Sequence, residues 1–515
     1  MLFNSIDFIF IYLPLIFSAF LFLLRFAGYG PTVYFLAAAS LAFYGYWKPA
    51  YTFLILTSML VNFGLGSFLA PNARALQQHR VKILWLGISF NVLLLGYFKY
   101  SQMLADAVTL VAGREPVDLN VVLPLAISFF TFQQIAYLVD TYRGKLQGIE
   151  GSRAEYALFV TFFPQLIAGP IVHYRRVVPQ FRSAWKAPFS SHEFAIGLSI
   201  FLIGLFKKVA IADGLGEYSL HMFDRLEGGY NLTSPEALAA LLSYTLEIYF
   251  DFSGYSDMAI GLGRMFGIRL PINFYSPYKS GSVREYWRRW NITLGAFFRD
   301  YVYLPLGGSR KGEFRANLNN IAVMTLSGLW HGAGWNFIVW GFLHGAVMVV
   351  ERLLSPGKDR IKSSLIRTRV GTLFALCVSR LYLFVMIMML FAVFRLTTLD
   401  DILYIWTQIL SLDFATIKAI STTFIVENGR LLDRLGSGLS INMVDHVAWA
   451  NMLIFALVVV FFLPNTYQLF SVEEDSDEST QKLTWRAAVI VGVLGAWALI
   501  LVLSSTAKEF IYFAF

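Results

Sequence analysis

Apolar stretches of about 20 residues recur along almost the whole of this 515-residue chain, and no other feature constrains its fold as strongly. As an α-helix, each stretch is long enough to cross the hydrocarbon core of a bilayer. Only 14% of the residues are charged, whereas soluble domains carry about 25%, so the chain lacks the charges to cover a water-facing surface. The clearest apolar runs lie at 7–24, 32–47, 50–70, 83–98, 121–139, 193–212, 237–262, 318–350, 371–394, 447–464 and 486–505. The sequence therefore predicts an all-α polytopic membrane protein with roughly 11–13 membrane elements.

The sequence shows neither an internal repeat nor an autonomous soluble domain, so residues 1–515 are interpreted as a single membrane domain. The largest region without a spanning pattern is 397–446, where apolar and charged residues are mixed and Gly429 and Gly436 interrupt helices. We expect amphipathic helices there, lying on the extracytoplasmic face. The acidic run at 473–478 predicts a solvated loop between the last two spans.

Positive charge is concentrated in residues 264–315, which hold ten Lys or Arg against three Asp or Glu, within a net charge of +8. The positive-inside rule places this stretch on the cytoplasmic side, next to anionic lipid headgroups of the bilayer. A role in binding nucleic acid is not expected, because the surrounding sequence leaves no soluble domain to hold a duplex.

Two further basic clusters, at 143–153 and 175–186, are separated by a single apolar segment at about 156–172. A full crossing would place one cluster outside the cell. However, Pro164 and the Gly169-Pro170 pair interrupt the segment, and proline removes a helical hydrogen bond. Broken backbone at membrane depth is tolerated where protein surrounds it. The pattern therefore predicts a re-entrant or half-spanning element with both basic clusters on the cytoplasmic side.

The run LWHGAGWN at 329–336 places His331 inside an apolar stretch. Ionisable residues are unfavourable in a bilayer, so they usually face a cavity and act there. A histidine can take and return a proton near neutral pH, which makes His331 the best candidate for a catalytic base. The residues alone leave open a structural histidine hydrogen-bonded between helices.

The second histidine of this stretch, His344, follows thirteen residues later. On a straight helix it would point roughly 140° away from His331, so the two side chains are expected to face different surroundings. Gly332 and Gly334 could bend the segment. For His344 the pattern favours a helix-packing role. No Cys or carboxylate stands at ligand spacing, and no metal site is expected.

A carboxylate pair, Glu247 and Asp251, stands four residues apart in another apolar run, hence on one helical face. Ion or proton coupling is one interpretation, because intramembrane acids require a partner or a water-filled route. Buried pairing with an arginine of the basic stretch 264–315 is the interpretation that we favour.

A third constellation, REYWRRWNITL at 284–294, combines Arg, Trp and Tyr at a density typical of a membrane interface and continues to Arg299. Arginine forks bind phosphates bidentately. A cytoplasmic phosphorylated acyl carrier such as coenzyme A would fit such a rim.

These constellations together resemble the membrane-bound O-acyltransferases, in particular the bacterial branch that contains the membrane subunit of alginate O-acetylation. The motifs that carry the resemblance are LFNS at 2–5, FPQLIAGP at 163–170, FDFSGYSDMAIG at 250–261, WRRW at 287–290, RDY at 299–301, WHG at 330–332 and FIYF at 510–513. They span nearly the whole chain. The resemblance implies a ring of tilted helices around a thin centre, with a tunnel between the two membrane faces.

The resemblance also implies roles for residues and partners. His331 matches the family's catalytic histidine, and the donor is acetyl-CoA or another acyl thioester that enters from the cytoplasm, with no bound cofactor. The acyl group is passed outward to a periplasmic esterase-like (SGNH) acetyltransferase or to a glycan, across the bacterial inner membrane. Relatives in the alginate branch usually have a second histidine where this chain has Asn291. Asparagine cannot titrate, but it can orient a hydroxyl or hold the thioester carbonyl.

The expected function is therefore a multi-pass membrane O-acyltransferase that serves O-acetylation of an extracytoplasmic polysaccharide, alginate or a similar one. The expected catalytic residues are His331 and Asn291, and the expected donor-binding residues are Lys279, Arg288, Arg289 and Arg299. Acyl transfer to peptidoglycan, cellulose or another acceptor is an alternative. A transporter with Glu247, Asp251 and Asp257 on an ion path, or a non-catalytic scaffold for polysaccharide export, would be a different class of protein.

Overall fold

The computed structural model of the chain describes residues 1–71, 78–149, 151–365, 368–412, 441–472 and 484–511. All regular secondary structure in these ranges is helical, which confirms the predicted all-α class. Seven helices in the described ranges are long and apolar enough to cross a membrane, namely Asp7–Phe26, Ala50–Leu69, Arg80–Val111, Ser191–Glu227, Trp335–Leu354, Arg369–Arg395 and Trp485–Ser504. The other elements of the predicted 11–13 are shorter, broken or more polar.

The α-helices of the described ranges, numbered in chain order, are α1 Leu13–Phe26, α2 Tyr29–Gly45, α3 Ala50–Leu69, α4 Arg80–Val111, α5 Ile127–Tyr142, α6 Arg153–Thr161, α7 Phe163–Leu166, α8 Tyr174–Ala184, α9 Ser191–Phe206, α10 Asp213–Glu227, α11 Ser234–Met265, α12 Val283–Trp287, α13 Ile292–Phe298, α14 Glu313–His331, α15 Trp335–Leu365, α16 Arg369–Arg395, α17 Leu399–Leu410, α18 Ile441–Phe461, α19 Thr466–Leu469 and α20 Trp485–Ser504. Short π-helical turns precede α1 at Asp7–Tyr12, join α9 to α10 at Lys207–Ala212 and follow α13 at Arg299–Tyr303.

Helix α11 is the central element, and every residue from Ile248 to Met265 is buried. It packs closely on α9 because glycines face each other at two levels. A Cβ atom on Gly197 would lie 2.7 Å from the carbonyl oxygen of Gly261, and one on Gly204 would lie 2.6 Å from that of Gly254. Small residues of this kind let helix backbones approach within a membrane, where packing rather than water exclusion drives association.

The favoured buried pairing is confirmed for Asp251 but not for Glu247, and the predicted arginine partners were wrong. Asp251 forms an ion pair with Lys208 at 2.6 Å, and Asp257 forms one with Lys207 at 2.6 Å. Both lysines come from the π-helical turn between α9 and α10 rather than from the basic stretch 264–315. Sequence distance hid these partners, because only the packing of α9 on α11 brings them together. The carboxylate of Glu247 accepts a hydrogen bond from the Ser219 hydroxyl at 2.6 Å.

The segment at 156–172 turns back within the protein, and its predicted position relative to the membrane stays a prediction. Helix α6 ends at Thr161, the backbone leaves helical geometry at Phe162, and the one-turn α7 precedes the return through α8. Glu155 at the start of α6 binds Arg182 near the end of α8, with Nε and Oε1 2.6 Å apart. Burial opposes ionisation of Glu155, but hydrogen bonds from Arg182 and Tyr29 outweigh it and lower the pKa of the carboxyl group to about 2.

The predicted amphipathic region at 397–446 is described only in part. Helix α17 begins after a Thr398 cap and buries Ile402 and Ile405. Residues 413–440 of that region lie outside the described residues, as does the acidic run at 473–478, so both predictions stay as they were.

Candidate active site

His331 lies at the turn of a helical hairpin that α14 and α15 form. Helix α14 ends at His331, the backbone is extended at Gly332, and α15 begins at Trp335. Glycines at the crossing let the two helices touch, since a Cβ atom on Gly341 would lie 3.0 Å from the Cα atom of Gly328. The apolar run at 318–350 is therefore two antiparallel helices. Gly332 and Gly334 provide the break that the sequence analysis had noted only as a possible bend.

The break overturns the expectation that His331 and His344 face different surroundings, because that expectation assumed a straight helix. Both imidazoles are buried and pack on one indole: the Trp340 ring centroid lies 5.2 Å from that of His331 and 4.6 Å from that of His344. The Trp287 indole N–H donates to His344 Nδ1 at 3.2 Å. Since Nδ1 accepts, the proton of neutral His344 resides on Nε2.

No metal site competes with this organic site in the part of the chain that the structure describes. None of its His, Cys, Asp and Glu residues form a group of three that could hold a metal ion. The two histidines are joined through the Trp340 ring, which packs on both imidazoles, and Trp287 contacts His344.

A cavity of about 50 Å³ lies beside His331. Such a volume has room for a few water-sized groups, and therefore for a short acyl group. Its wall is mostly apolar and comes from five parts of the chain. The lining residues are Lys99, Leu123, Pro124, Ala126, Ile127, Ser128, Phe129, Ile167, Ala168, Trp330, His331 and Phe510. The predicted re-entrant segment thus contributes Ile167 and Ala168 to the site.

The segment that carries Phe510 is held in place by hydrogen bonds from the core. The Ile511 backbone N–H donates to Asp251 Oδ2 at 2.7 Å, and Lys208 Nζ donates to the Glu509 carbonyl at 3.0 Å. The Asn4 side chain, from the motif at 2–5, donates to the Lys508 carbonyl at 3.1 Å. The paired charges of α11 therefore anchor one wall of the cavity, a function that the sequence analysis did not foresee.

Asn291 is buried at the start of α13 in a left-handed conformation, with φ at 44°. Asparagine adopts the left-handed backbone conformation more readily than most residues do. The backbone geometry is therefore one reason for an asparagine at position 291. Its Nδ2 group has no hydrogen-bond partner among the described residues, and Asn291 is not part of the lining of the His331 cavity. The structure thus places Asn291 in the protein interior, outside the lining of the cavity beside His331.

The four cations predicted to bind the donor do not form one cluster. The Lys279 ammonium group donates to the Leu463 carbonyl, and Arg289 pairs with Glu285 at 2.6 Å. Burial and repulsion from Arg380 and Arg289 lower the pKa of Lys279. Arg380 was missed by the sequence analysis because it lies within the apolar helix α16. Arg288 is exposed to solvent, which leaves it accessible to an anionic ligand.

Arg299 belongs to a different neighbourhood. It pairs with Asp300 at 2.7 Å. The next residue, Tyr301, places its hydroxyl 3.0 Å from Asp140 Oδ2 and 3.1 Å from His173 Nδ1. Helix α5 joins this polar group to the cavity, since Ile127 and Phe129 line the cavity and Asp140 lies at the opposite end of the same helix.

An aromatic cluster fills the space along this helix. The Phe132 and Phe297 rings are stacked with centroids 4.1 Å apart, and the Trp330 ring lies 5.7 Å from Phe132. Trp330 is the residue before His331, so the cluster connects the RDY motif to the histidine. The sequence showed both motifs but gave no sign that they pack on one helix.

Comparisons with known proteins show the family of the chain. The model of the membrane-bound O-acyltransferase family matches residues 150–392, which include His331, Asn291 and the basic stretch. The peptidoglycan O-acetyltransferase of Helicobacter pylori is 35% identical over an alignment of 547 residues that covers 100% of this chain and 98% of that protein. The chain belongs to the membrane-bound O-acyltransferase family. The family resemblance seen in the motifs is thereby confirmed, and the protein is an O-acyltransferase.

Other members of the family show which acceptors similar proteins serve. The probable alginate O-acetylase AlgI of Azotobacter vinelandii is 40% identical over 358 residues, 69% of each chain. The teichoic acid D-alanyltransferase of Streptococcus thermophilus is 28% identical over 257 residues, 47% of this O-acyltransferase and 61% of that protein. Family membership decides between the enzyme and the transporter in favour of the enzyme.

Proposed function

We propose that this O-acyltransferase takes acetyl groups from a cytoplasmic thioester donor and passes them across the inner membrane for O-acetylation of an extracytoplasmic polysaccharide. His331 is the catalytic residue of this proposal. The observation that carries it is the position of His331, a buried imidazole on the wall of a small, mostly apolar cavity that has room for a short acyl group. Similarity to a peptidoglycan O-acetyltransferase and to alginate O-acetylases supports a polysaccharide as the final acceptor.

In the proposed reaction, His331 accepts the proton of an acceptor hydroxyl while the hydroxyl oxygen attacks the thioester carbonyl carbon. The resulting tetrahedral intermediate collapses with cleavage of the carbon–sulfur bond, and the thiolate recovers the proton from the imidazolium. An oxygen ester and a free thiol are the products, so atoms and charge balance. Base catalysis of this kind contributes about 10²–10⁴-fold. Attack by the imidazole itself, through an acyl-histidine, is the close alternative.

The donor is proposed to dock through the predicted cations Lys279, Arg288, Arg289 and Arg299. Arg288 is the strongest of these candidates, because it is exposed, whereas Arg289 and Arg299 already pair with neighbouring carboxylates. Arg288→Ala should therefore raise the KM for acetyl-CoA several-fold while kcat changes little. A periplasmic esterase-like acetyltransferase remains the proposed partner, and Asn291 a proposed positioning residue for the acceptor or thioester.

The central test uses the purified full-length protein in proteoliposomes with radiolabelled acetyl-CoA. Alginate and peptidoglycan fragments are offered in separate reactions, each with and without a candidate periplasmic partner. His331→Ala should abolish acetyl transfer while the protein still inserts into membranes. The matched control is His192→Ala, because His192 is exposed at the start of α9 and outside the site. Undiminished transfer by His331→Ala would refute the assignment of the histidine, and absence of transfer by the wild-type protein to either polymer would refute the proposed function.

A further inference from the structure

A lysine from a distant helix reaches the end of α14. Lys99, on α4, donates hydrogen bonds from Nζ to the carbonyl oxygens of Trp330 at 2.6 Å and His331 at 3.0 Å. The ammonium group also lies 5.9 Å from the centroid of the Trp330 ring and lines the cavity beside His331. The neighbouring Tyr100 hydroxyl donates to the Leu329 carbonyl at 2.8 Å. Two consecutive residues of α4 therefore cap the last turn of α14.

The partners of its charge distinguish Lys99 from Lys207 and Lys208, the lysines of the turn between α9 and α10. Lys207 and Lys208 each lie 2.6 Å from an aspartate oxygen. Across the described ranges, no carboxylate forms an ion pair with Lys99. The carbonyl end of α14 compensates part of its charge, since a helix C-terminus carries about −0.5 of an elementary charge. Among the described residues that line the cavity, none carries a negative charge to balance the ammonium group. The site is therefore suited to a substrate group that develops negative charge.

We propose that Lys99 is a second catalytic residue of the acyl transfer described above, on which this inference rests. Its ammonium group stabilises the negative charge that develops on the acyl carbonyl oxygen when the tetrahedral intermediate forms. An ammonium group has three N–H donors, and the two bonds to Trp330 and His331 leave one for the cavity. In this role Lys99 acts in its protonated form and does not give up its proton during the reaction. The charge returns to the thiolate when the carbon–sulfur bond breaks, so no further reactant is required.

Geometry gives this donor the two properties that oxyanion stabilisation requires. First, the backbone carbonyls hold the ammonium group in place before the reaction begins, so no reorganisation is needed as charge develops. Second, the wall is mostly apolar, with Ile127, Phe129 and Phe510 among its residues, and an interaction between charges is stronger in such surroundings than in bulk water. Removal of a single oxyanion donor lowers kcat by about 10²–10³-fold in enzymes that rely on one.

Helix capping is the alternative role, and the variants are chosen to separate the two. Lys99→Gln keeps an N–H donor for the carbonyls but removes the charge, and Lys99→Met removes both. Lys99→Arg keeps the charge and the donors. Tyr100→Phe removes the neighbouring cap of the same helix end and leaves the charge in the cavity, which makes it the matched structural control.

The experiment measures acetyl transfer from radiolabelled acetyl-CoA by the full-length protein in proteoliposomes, together with the midpoint of thermal inactivation. Lys99→Gln and Lys99→Met should lower kcat about 10²–10³-fold with less than a threefold change in the KM for acetyl-CoA. Lys99→Arg should recover at least a tenth of the activity. Tyr100→Phe should lower the inactivation midpoint as much as Lys99→Gln does while kcat stays within threefold of the wild-type value.

Each other outcome overturns the inference. If Lys99→Gln retains kcat within threefold, the residue is a cap and its charge has no role in the reaction. If Lys99→Met raises only KM, it binds the donor. If Tyr100→Phe loses as much activity as Lys99→Met, the integrity of the helix end explains both. Failure of the proposed function is separate and visible, because the wild-type protein would then transfer no acetyl group, or His331→Ala would transfer it normally.

Discussion

Replacing Gly341 by alanine tests whether the crossing of α14 and α15 positions His331. A Cβ atom at this site would lie 3.0 Å from the Cα atoms of Gly328 and Thr325, and inside contact distance of the Met324 carbonyl oxygen. All three neighbours are backbone atoms, so no flexible side chain can move aside. Carbon atoms pack best at about 3.5–4.0 Å, and the helices must therefore separate by roughly 0.5–1 Å.

The magnitude follows from two opposing terms. Inserting a methyl group into a tight contact destabilises by about 1–3 kcal/mol. Alanine in a helix recovers about 0.5–1 kcal/mol relative to glycine. The net loss of stability is therefore small, on the order of 1 kcal/mol. The effect on catalysis should be larger, because misplacement of a reacting group by about 1 Å can lower the rate roughly 10²-fold.

We expect Gly341→Ala to insert normally, to show a slightly lower midpoint of thermal inactivation and to lose about 10–100-fold in kcat for acetyl transfer. Gly96→Ala is the control, since Gly96 lies in the interior of α4 and a Cβ atom there meets no heavy atom within 4 Å. That variant should keep full activity and equal or higher stability. If Gly341→Ala retained kcat within twofold, the close crossing would not be what positions His331.

Two further predictions concern the framework of the site. Lys207→Met leaves Asp257 buried without its cation and should destabilise by about 3–5 kcal/mol, measured by thermal inactivation in detergent, whereas adding Asp257→Leu should restore most of the loss. If the double variant were no more stable than the single one, an unpaired charge would not be the cause. The lowered pKa of Glu155, about 2 against an ordinary 4.5, stabilises the folded protein above about pH 4.5, and that contribution disappears as the pH falls toward 2. Glu155→Gln should lose on the order of 2–3 kcal/mol at neutral pH and flatten the acid limb of the stability profile, and an unchanged limb would contradict the assignment.

The sequence analysis succeeded where the physical signal is local. Apolar runs predicted the helical membrane class, and Pro164 with Gly169 predicted the return of the chain at 156–172. His331 was chosen as the candidate catalytic residue because an ionisable residue in an apolar run is conspicuous, and the structure places it on the wall of a cavity. Its neighbours were harder, since Gly332 and Gly334 did not by themselves reveal that α14 and α15 form a hairpin.

Contacts between distant parts of the chain could not be read from the pattern. Lys99 and Trp330 are 231 residues apart in the sequence. A single lysine next to an apolar run is usually interpreted as the end of a helix near the membrane surface. Likewise, Lys207 and Lys208 reach their aspartates only through the packing of α9 on α11. Asn291 was chosen from the motif, and nothing in the sequence indicated that its backbone is left-handed.

The position of Phe510 in the cavity wall has a consequence for the timing of activity. A chain that emerges from the ribosome inserts α14 long before residue 510 exists, so His331 enters the membrane facing an unfinished chamber. The wall is complete only when the Ile511 backbone reaches the Asp251 carboxylate and the Lys508 carbonyl reaches Asn4. Two segments that lie 504 residues apart in the sequence must therefore meet before the cavity beside His331 has its full wall.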